Sequence, residues 1–164
     1  MSEVKDKTIG WSSKNFDTNF AYDRMVSLAK KKWGMSEEEI EDFMNRVAYQ
    51  ESKGDHQAIQ KSNKKDENGV VIPGEFVNGP GRGLFQYEMG DQQGGHVARV
   101  RFAMTMNEEG FDSHIGSIPE DFSTMGAQLQ KAIFLADAMK KGGNPKEMGT
   151  QDWWITKHWV GNKE

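Results

Sequence analysis

The chain has no cysteine among its 164 residues. Disulfides, thiolate metal sites and a thiol nucleophile are therefore excluded. No stretch approaches the ~20 consecutive apolar residues that a membrane-spanning helix needs, and the polar N-terminus MSEVKDKTIGWSSKNFD holds no apolar run of signal-peptide length. Positive charge is not in excess: the net charge of −4 argues against a broad nucleic-acid face. His56, His96, His114 and His158 share no ligand spacing, so no metal site is expected. No Gly-x-Ser-x-Gly elbow is present for serine chemistry. Nothing in the composition implies a cofactor. Hydrophobic content is only 35%, but nine Phe, five Trp and ten Met promise a small core of large side chains. Met104, Met106, Met125 and Met139 read as core filler.

What is present is mostly helical. Residues 1–18 read as an irregular arm, pinned by Trp11 and Phe16, ahead of a single domain over 19–164. From Asn19 to Trp33, Phe20, Met25, Leu28, Ala29 and Trp33 recur at helical spacing, and Gly34 ends the run. Ser36 and Glu39 form a capping box. The helix it opens carries Ile40, Phe43, Met44, Val47 and Ala48 on one face and runs to about Glu51, before Gly54. Residues 52–83 have no helical period. Val70, Val71 and Ile72, then Phe76 and Val77, flank Pro73-Gly74, which predicts a short hairpin turning there. Residues 96–107 read as a helix and 108–119 as a loop. Asp121–Lys141 reads as the longest helix, and a last one begins near Thr150 with Trp153, Trp154, His158 and Trp159. The fold class is mainly α (α+β), with a small β-hairpin or loop insertion.

Two stretches carry chemistry. Glu51 lies on the helical row of Val47, Phe43 and Ile40. A carboxyl group on an apolar face loses water, and its pKa rises. Such a group is still protonated near neutral pH, as a general acid requires. The plain alternative is a helix-end glutamate pointing outward. The second stretch is GPGRGLFQYE, residues 79–88. Gly79, Gly81 and Gly83 permit close approach of a ligand to the backbone. Leu84 and Phe85 anchor the loop, and Gln86 offers a donor and an acceptor. Alone, this is a glycine-rich turn leading into a buried segment.

Together, Glu51-Ser52, Ala58 and Gly83-Leu84-Phe85-Gln86 resemble the lysozyme-like superfamily of soluble lytic transglycosylases and goose-type lysozymes. The motifs cover residues 47–88. The insertion between them and the small size are similar to phage-encoded members. The resemblance implies a lysozyme-like helical domain with the hairpin or loop insertion beside an active-site cleft. It implies a muramidase cleaving the β-1,4 bond between N-acetylmuramic acid and N-acetylglucosamine. Glu51 would be the catalytic acid and base. Ser52, Gly83, Leu84, Phe85, Gln86 and Tyr87 would bind substrate. Peptidoglycan strands are the implied partner, with other structural proteins of a phage particle beside them; nucleic acid and membrane insertion are not implied. Synthesis in a host cytoplasm is expected, with action at the cell wall or carriage in a virion, for lysis or entry.

A second carboxylate that holds a water would give hydrolysis. Without one, attack by the muramyl 6-hydroxyl gives a 1,6-anhydro product. Glu88, Glu75 and Asp66 are the main candidates for that second group, with Asp55, Glu67 and Asp91 behind them; the single-glutamate route is slightly preferred. Three departures stand out. The serine after Ala58 is displaced to Ser62, no Ala-Glu-Asn element is present (Ala127-Gln128-Leu129-Gln130 stands roughly where a cleft helix belongs), and the terminal Tyr-Asn pair is replaced at best by His158, Trp159 and Asn162. They motivate an alternative: a non-catalytic, lysozyme-like structural or wall-binding component of a phage particle.

Overall fold

The computed structural model describes residues 18–90, 93–142 and 145. The arm with Trp11 and Phe16, the C-terminal Trp153, Trp154, His158, Trp159 and Asn162, and Asp91 lie outside the described residues. The fold is α+β. Among the described residues there are four α-helices: α1 (Thr18–Trp33), α2 (Glu37–Ser52), α3 (Gly94–Glu108) and α4 (Ala127–Lys141). A three-stranded antiparallel sheet of β1 (Ile59–Lys65), β2 (Val71–Arg82) and β3 (Tyr87–Glu88) lies between α2 and α3.

Each helix has a local cause. Ser36 caps α2: its hydroxyl accepts from Glu39 N at 3.1 Å, and Glu39 Oε1 accepts from Ser36 N at 2.9 Å. Glu37, Glu38 and Glu39 place negative charge at the positive end of the helix dipole. Helix α2 ends where Lys53 turns left-handed at φ 59°, and Gly54 follows at φ 82°. Helix α4 is central. Residues Leu129 to Met139 are buried on every side except at Lys131, and α1 and α3 both pack on it. Its Phe134 is fully buried, as are Phe43, Phe102 and Phe122 around it. Phe85 stacks on Phe134 with ring centroids 4.1 Å apart, which ties the sheet side of the molecule to the helical core.

Four expectations need correction. The hairpin does not turn at Pro73-Gly74: β2 runs straight through it as an irregularity in the ladder. The turn is Asp66–Gly69, because Asp66 Oδ1 accepts from both Asn68 N (2.8 Å) and Val70 N (3.0 Å), and Gly69 supplies φ 82°. The stretch from Asp121 is not one helix. Asp121 Oδ1 accepts from Ser123 N at 2.9 Å, and residues 122–124 form a separate 3-10 turn before α4 starts at Ala127. Local side-chain bonds offered the backbone an alternative to the helix. Helix α1 begins at Thr18, one residue before the expected start at Asn19. Met104 is exposed, whereas Met106, Met125 and Met139 are buried as expected.

Candidate functional site

Helix α2 delivers Glu51 and Ser52 in its last turn. A tight sequence of backbone bonds then leads to the sheet: Asp55 N donates to Ser52 O (3.2 Å) and Ala58 N to Asp55 O (3.1 Å). From Ala58 the chain meets the glycine loop, where Gly83 N donates to Ala58 O at 2.8 Å. The turn that follows Glu51 and Ser52 is therefore joined to the glycine loop by a backbone hydrogen bond.

A third partner fixes that junction. Gln130, fully buried on α4, accepts from Leu84 N through Oε1 at 2.7 Å. Its Nε2 donates to His56 O at 2.8 Å and to Met125 O at 3.0 Å. One side chain thus clamps the turn after Glu51, the glycine loop and the start of α4. Gln86, held at φ 52°, donates from Nε2 to Gly83 O at 2.9 Å and bends back on the same loop.

The glycines serve a different purpose from the one expected. A Cβ on Gly79 would lie 2.7 Å from Ser62 Oγ and 2.8 Å from the Gln60 amide. On Gly81 it would lie 2.8 Å from Gln86 Oε1, and on Gly83 2.2 Å from Gln130 Oε1. The space vacated along the loop is filled by side chains of the protein itself. Gln60 Oε1 also accepts from Gly81 N at 2.9 Å.

The predicted substrate-binding residues divide accordingly. Leu84, Phe85 and Tyr87 are buried, so their side chains belong to the core and not to a cleft wall; hydrophobic burial decided this. Ser52 Oγ donates back to Ala48 O at 3.0 Å. Of the predicted substrate-binding residues, only Ser52 and Gln86 are half-buried rather than buried. Tyr87 OH donates to Asp137 Oδ2 at 2.8 Å, and Arg101 Nη1 pairs with Asp137 Oδ1 at 2.7 Å. The Tyr87 phenol is held well above its ordinary range, first by burial and then by Asp137, with the charge of Glu51 adding to the rise.

Glu51 itself is half-buried. Burial lifts its pKa to about 7, because a carboxylate there gives up water. Its Oε2 atom is buried and has no hydrogen-bond partner among the described residues. A carboxyl group with a pKa of about 7 keeps a substantial protonated fraction at neutral pH, the form a general acid requires.

The three main second-carboxylate candidates are exposed. Asp66 is engaged by the turn amides at the hairpin tip, and Glu75 pairs with Lys64 at 3.6 Å on the hairpin. Both are therefore committed within the hairpin. Glu88 follows the inward-facing Tyr87 in β3, and strand alternation turns it outward.

Sequence reasoning placed Gln130 on a cleft helix without giving it a role, and it missed Gln60, Arg101 and Asp137. The signal was a polar residue inside the apolar stripe of α4, where Gln130 and Asp137 interrupt Leu129, Ile133 and Ala136. Among the described residues no helix is long and apolar enough to cross a membrane. Comparison with family models, curated proteins and solved structures finds no match for the chain.

Proposed function

We propose that this chain is a peptidoglycan-cleaving muramidase of lysozyme-like fold, with Glu51 as its general acid and base, used in phage lysis or entry. The observation that carries the reading is Glu51: a carboxyl group lifted to about pH 7 by burial, with an unpartnered oxygen, joined through Ala58 to the Gly83–Gln86 loop. Protonated Glu51 gives its proton to the oxygen linking N-acetylmuramic acid to N-acetylglucosamine, and the glycosidic bond breaks. The resulting carboxylate takes the proton of the muramyl 6-hydroxyl as that oxygen closes on the anomeric carbon. Glu51 is thereby returned to its acid form, and the product is the 1,6-anhydro sugar.

Burial is the cause of the rise at Glu51, with no contribution from a neighbouring carboxylate among the described residues. A retaining pair would sit about 5–5.5 Å apart and raise one member by like charge. That argues against a closely spaced retaining pair, and the Gly83–Gln86 motif keeps the single-glutamate route slightly preferred over hydrolysis. Mass spectrometry of the released muropeptides tests bond and mechanism together. Anhydro-muramic ends are expected; reducing muramic ends would move the assignment to hydrolysis.

A second reading has its own support. Leu84, Phe85 and Tyr87 are buried, and Gln86 bonds its own loop, so few of the family-like substrate contacts are open. That pattern suits a lysozyme-like domain that binds the wall or a particle without cutting. Wall suspensions that the protein binds but never clears would select this reading.

A further inference from the structure

The sequence holds two Asn-Gly pairs, Asn68-Gly69 and Asn78-Gly79. Asparagine is a thermolabile residue, and a following glycine makes it more so. The glycine nitrogen can close on the asparagine side-chain carbon, and no Cβ shields the approach. Both pairs belong to the β1–β2 hairpin, and both asparagines are exposed. Sequence and exposure therefore do not separate them. The fold does.

Asn78-Gly79 is built into the sheet. Asn78 pairs with Lys61 in the ladder, and its Oδ1 accepts from Lys61 Nζ at 2.8 Å. Gly79 is buried and closely walled: a Cβ there would lie 2.7 Å from Ser62 Oγ and 2.8 Å from the Gln60 amide. Its carbonyl accepts from Arg82 Nη1. To bring the Gly79 nitrogen onto the Asn78 side chain, the main chain must leave its extended path. Strand β2 is held in that path by β1 and, two residues on at Gly81, by β3.

Asn68-Gly69 lies outside the ladder. The last pair of β1 and β2 is Lys65 with Val71, and residues 66–70 make the turn between them. No hydrogen bond among the described residues holds the Asn68 side chain. Gly69 stands at φ 82°, and a Cβ there would meet nothing within 4 Å. One bond restrains the attacking nitrogen: Gly69 N donates to Asp66 O at 2.9 Å. It is a solvent-exposed bond at a loop tip, and such bonds open at little cost.

The chemistry needs only water. Gly69 N bonds to Asn68 Cγ, the bond from Cγ to the side-chain nitrogen breaks, and ammonia leaves with the proton that Gly69 N gives up. The product is a succinimide ring. Water then opens it at either carbonyl. Opening at the side-chain carbonyl leaves aspartate; opening at the main-chain carbonyl leaves isoaspartate, with the chain running through the former side chain. Isoaspartate lengthens the main chain by one methylene. It does so inside a turn closed by Asp66 N to Val70 O at 2.9 Å and by Asp66 Oδ1 to Asn68 N and Val70 N. These bonds bridge the altered residue, so the longer chain loosens them. The new carboxylate also stands beside Asp66 and Glu67, where like charges repel.

We propose that Asn68 is a self-modification site, converted in water through a succinimide with Gly69 to isoaspartate and aspartate, and that this loosens the hairpin tip while the sheet protects Asn78. The site is independent of any activity at Glu51. The full-length protein is warmed in mildly alkaline buffer, folded or in urea. Digests taken over time are read by mass spectrometry, with fragmentation that tells isoaspartate from aspartate. In the folded protein Asn68 converts at least about tenfold faster than Asn78, because the turn opens locally and the ladder does not. In urea the two rates converge, and Asn68→Gln removes the product at the turn. Equal rates in the folded protein overturn the proposal, as does faster conversion at Asn78. Conversion of Asn68 in urea alone also overturns it, since the bond from Gly69 to Asp66 would then be protection enough. Brief trypsin treatment reads the tip, because loosened loop tips are cut first. Aged wild type is cut after Lys64 or Lys65 faster than fresh protein, and aged Asn68→Gln protein is not. Equal cutting of aged and fresh wild type overturns the loosening.

Discussion

The side-chain carbonyl of Gln130 accepts the backbone N–H of Leu84 at 2.7 Å across 46 positions of sequence. The same amide donates to His56 O, so a residue of the central helix holds the turn after Glu51 to the glycine loop. The predictions follow from that clamp and from Glu51.

Replacing Gln130 with Leu keeps the volume and removes all three bonds. Leu84 N–H and the carbonyls of His56 and Met125 lose their partner in a dry interior. Unsatisfied buried groups cost about 1–3 kcal/mol each, partly relieved by relaxation. We expect Gln130→Leu to lower unfolding stability in urea by about 2–4 kcal/mol.

Gly83 and Gly54 separate backbone strain from packing. Both have φ near +80°, but a Cβ at Gly54 meets nothing within 4 Å, whereas at Gly83 it lies 2.2 Å from Gln130 Oε1. Gly54→Ala should cost about 1 kcal/mol, the strain alone. Gly83→Ala should cost about 2–4 kcal/mol and weaken wall clearance with it. Equal losses in urea titrations would show that the clamp gives way easily.

Glu51 links stability to pH and, on the proposed function, would link activity to it as well. Its folded pKa, about 7, lies above the value in an unfolded chain, so the native state binds the extra proton between roughly pH 4.5 and 7. The carboxyl group is therefore tolerated below about pH 4.5 and becomes increasingly destabilising as pH rises through 7. Glu51→Gln should be neutral at pH 4 and stabilising by about 1–2 kcal/mol at pH 8, a figure reduced for partial solvent screening. Thermal melts at both pH values measure it. The same variant should lose wall clearance, and the wild-type rate should fall above about pH 7 as the general acid ionises.

Tyr87→Phe distinguishes core from cleft. It removes the bond to Asp137 Oδ2, leaving that oxygen with Lys141 at 3.8 Å. A loss of about 1–2 kcal/mol in stability is expected, with KM for peptidoglycan fragments unchanged. A raised KM at unchanged stability would return Tyr87 to the substrate.

Much of this was legible in the chain. The Ser36–Glu39 box, the apolar row of α2 and its stop at Gly54 came from local rules, because caps and helical periodicity act within a few residues. Glu51 on that row was enough to expect a raised pKa, since its apolar neighbours Val47, Phe43 and Ile40 are themselves local. Asp66 was weighed as a catalytic partner, although its competence as a turn former lay in the sequence Asp-Glu-Asn-Gly. Pro73-Gly74 looked like the stronger signal, and β2 absorbed it as an irregularity because pairing with β1 continues on both sides.

The sequence by itself determined the first three helices, the place of Glu51 on an apolar face and the glycines of the loop. Only the tertiary structure decided what fills the space those glycines leave. That depends on Gln60, Gln86 and Gln130 arriving from three elements at one loop, a coincidence of long-range packing with no local signature. The same packing turned Leu84, Phe85 and Tyr87 inward, because burying large side chains against Phe134 and Phe122 outweighs leaving them to a solvated cleft.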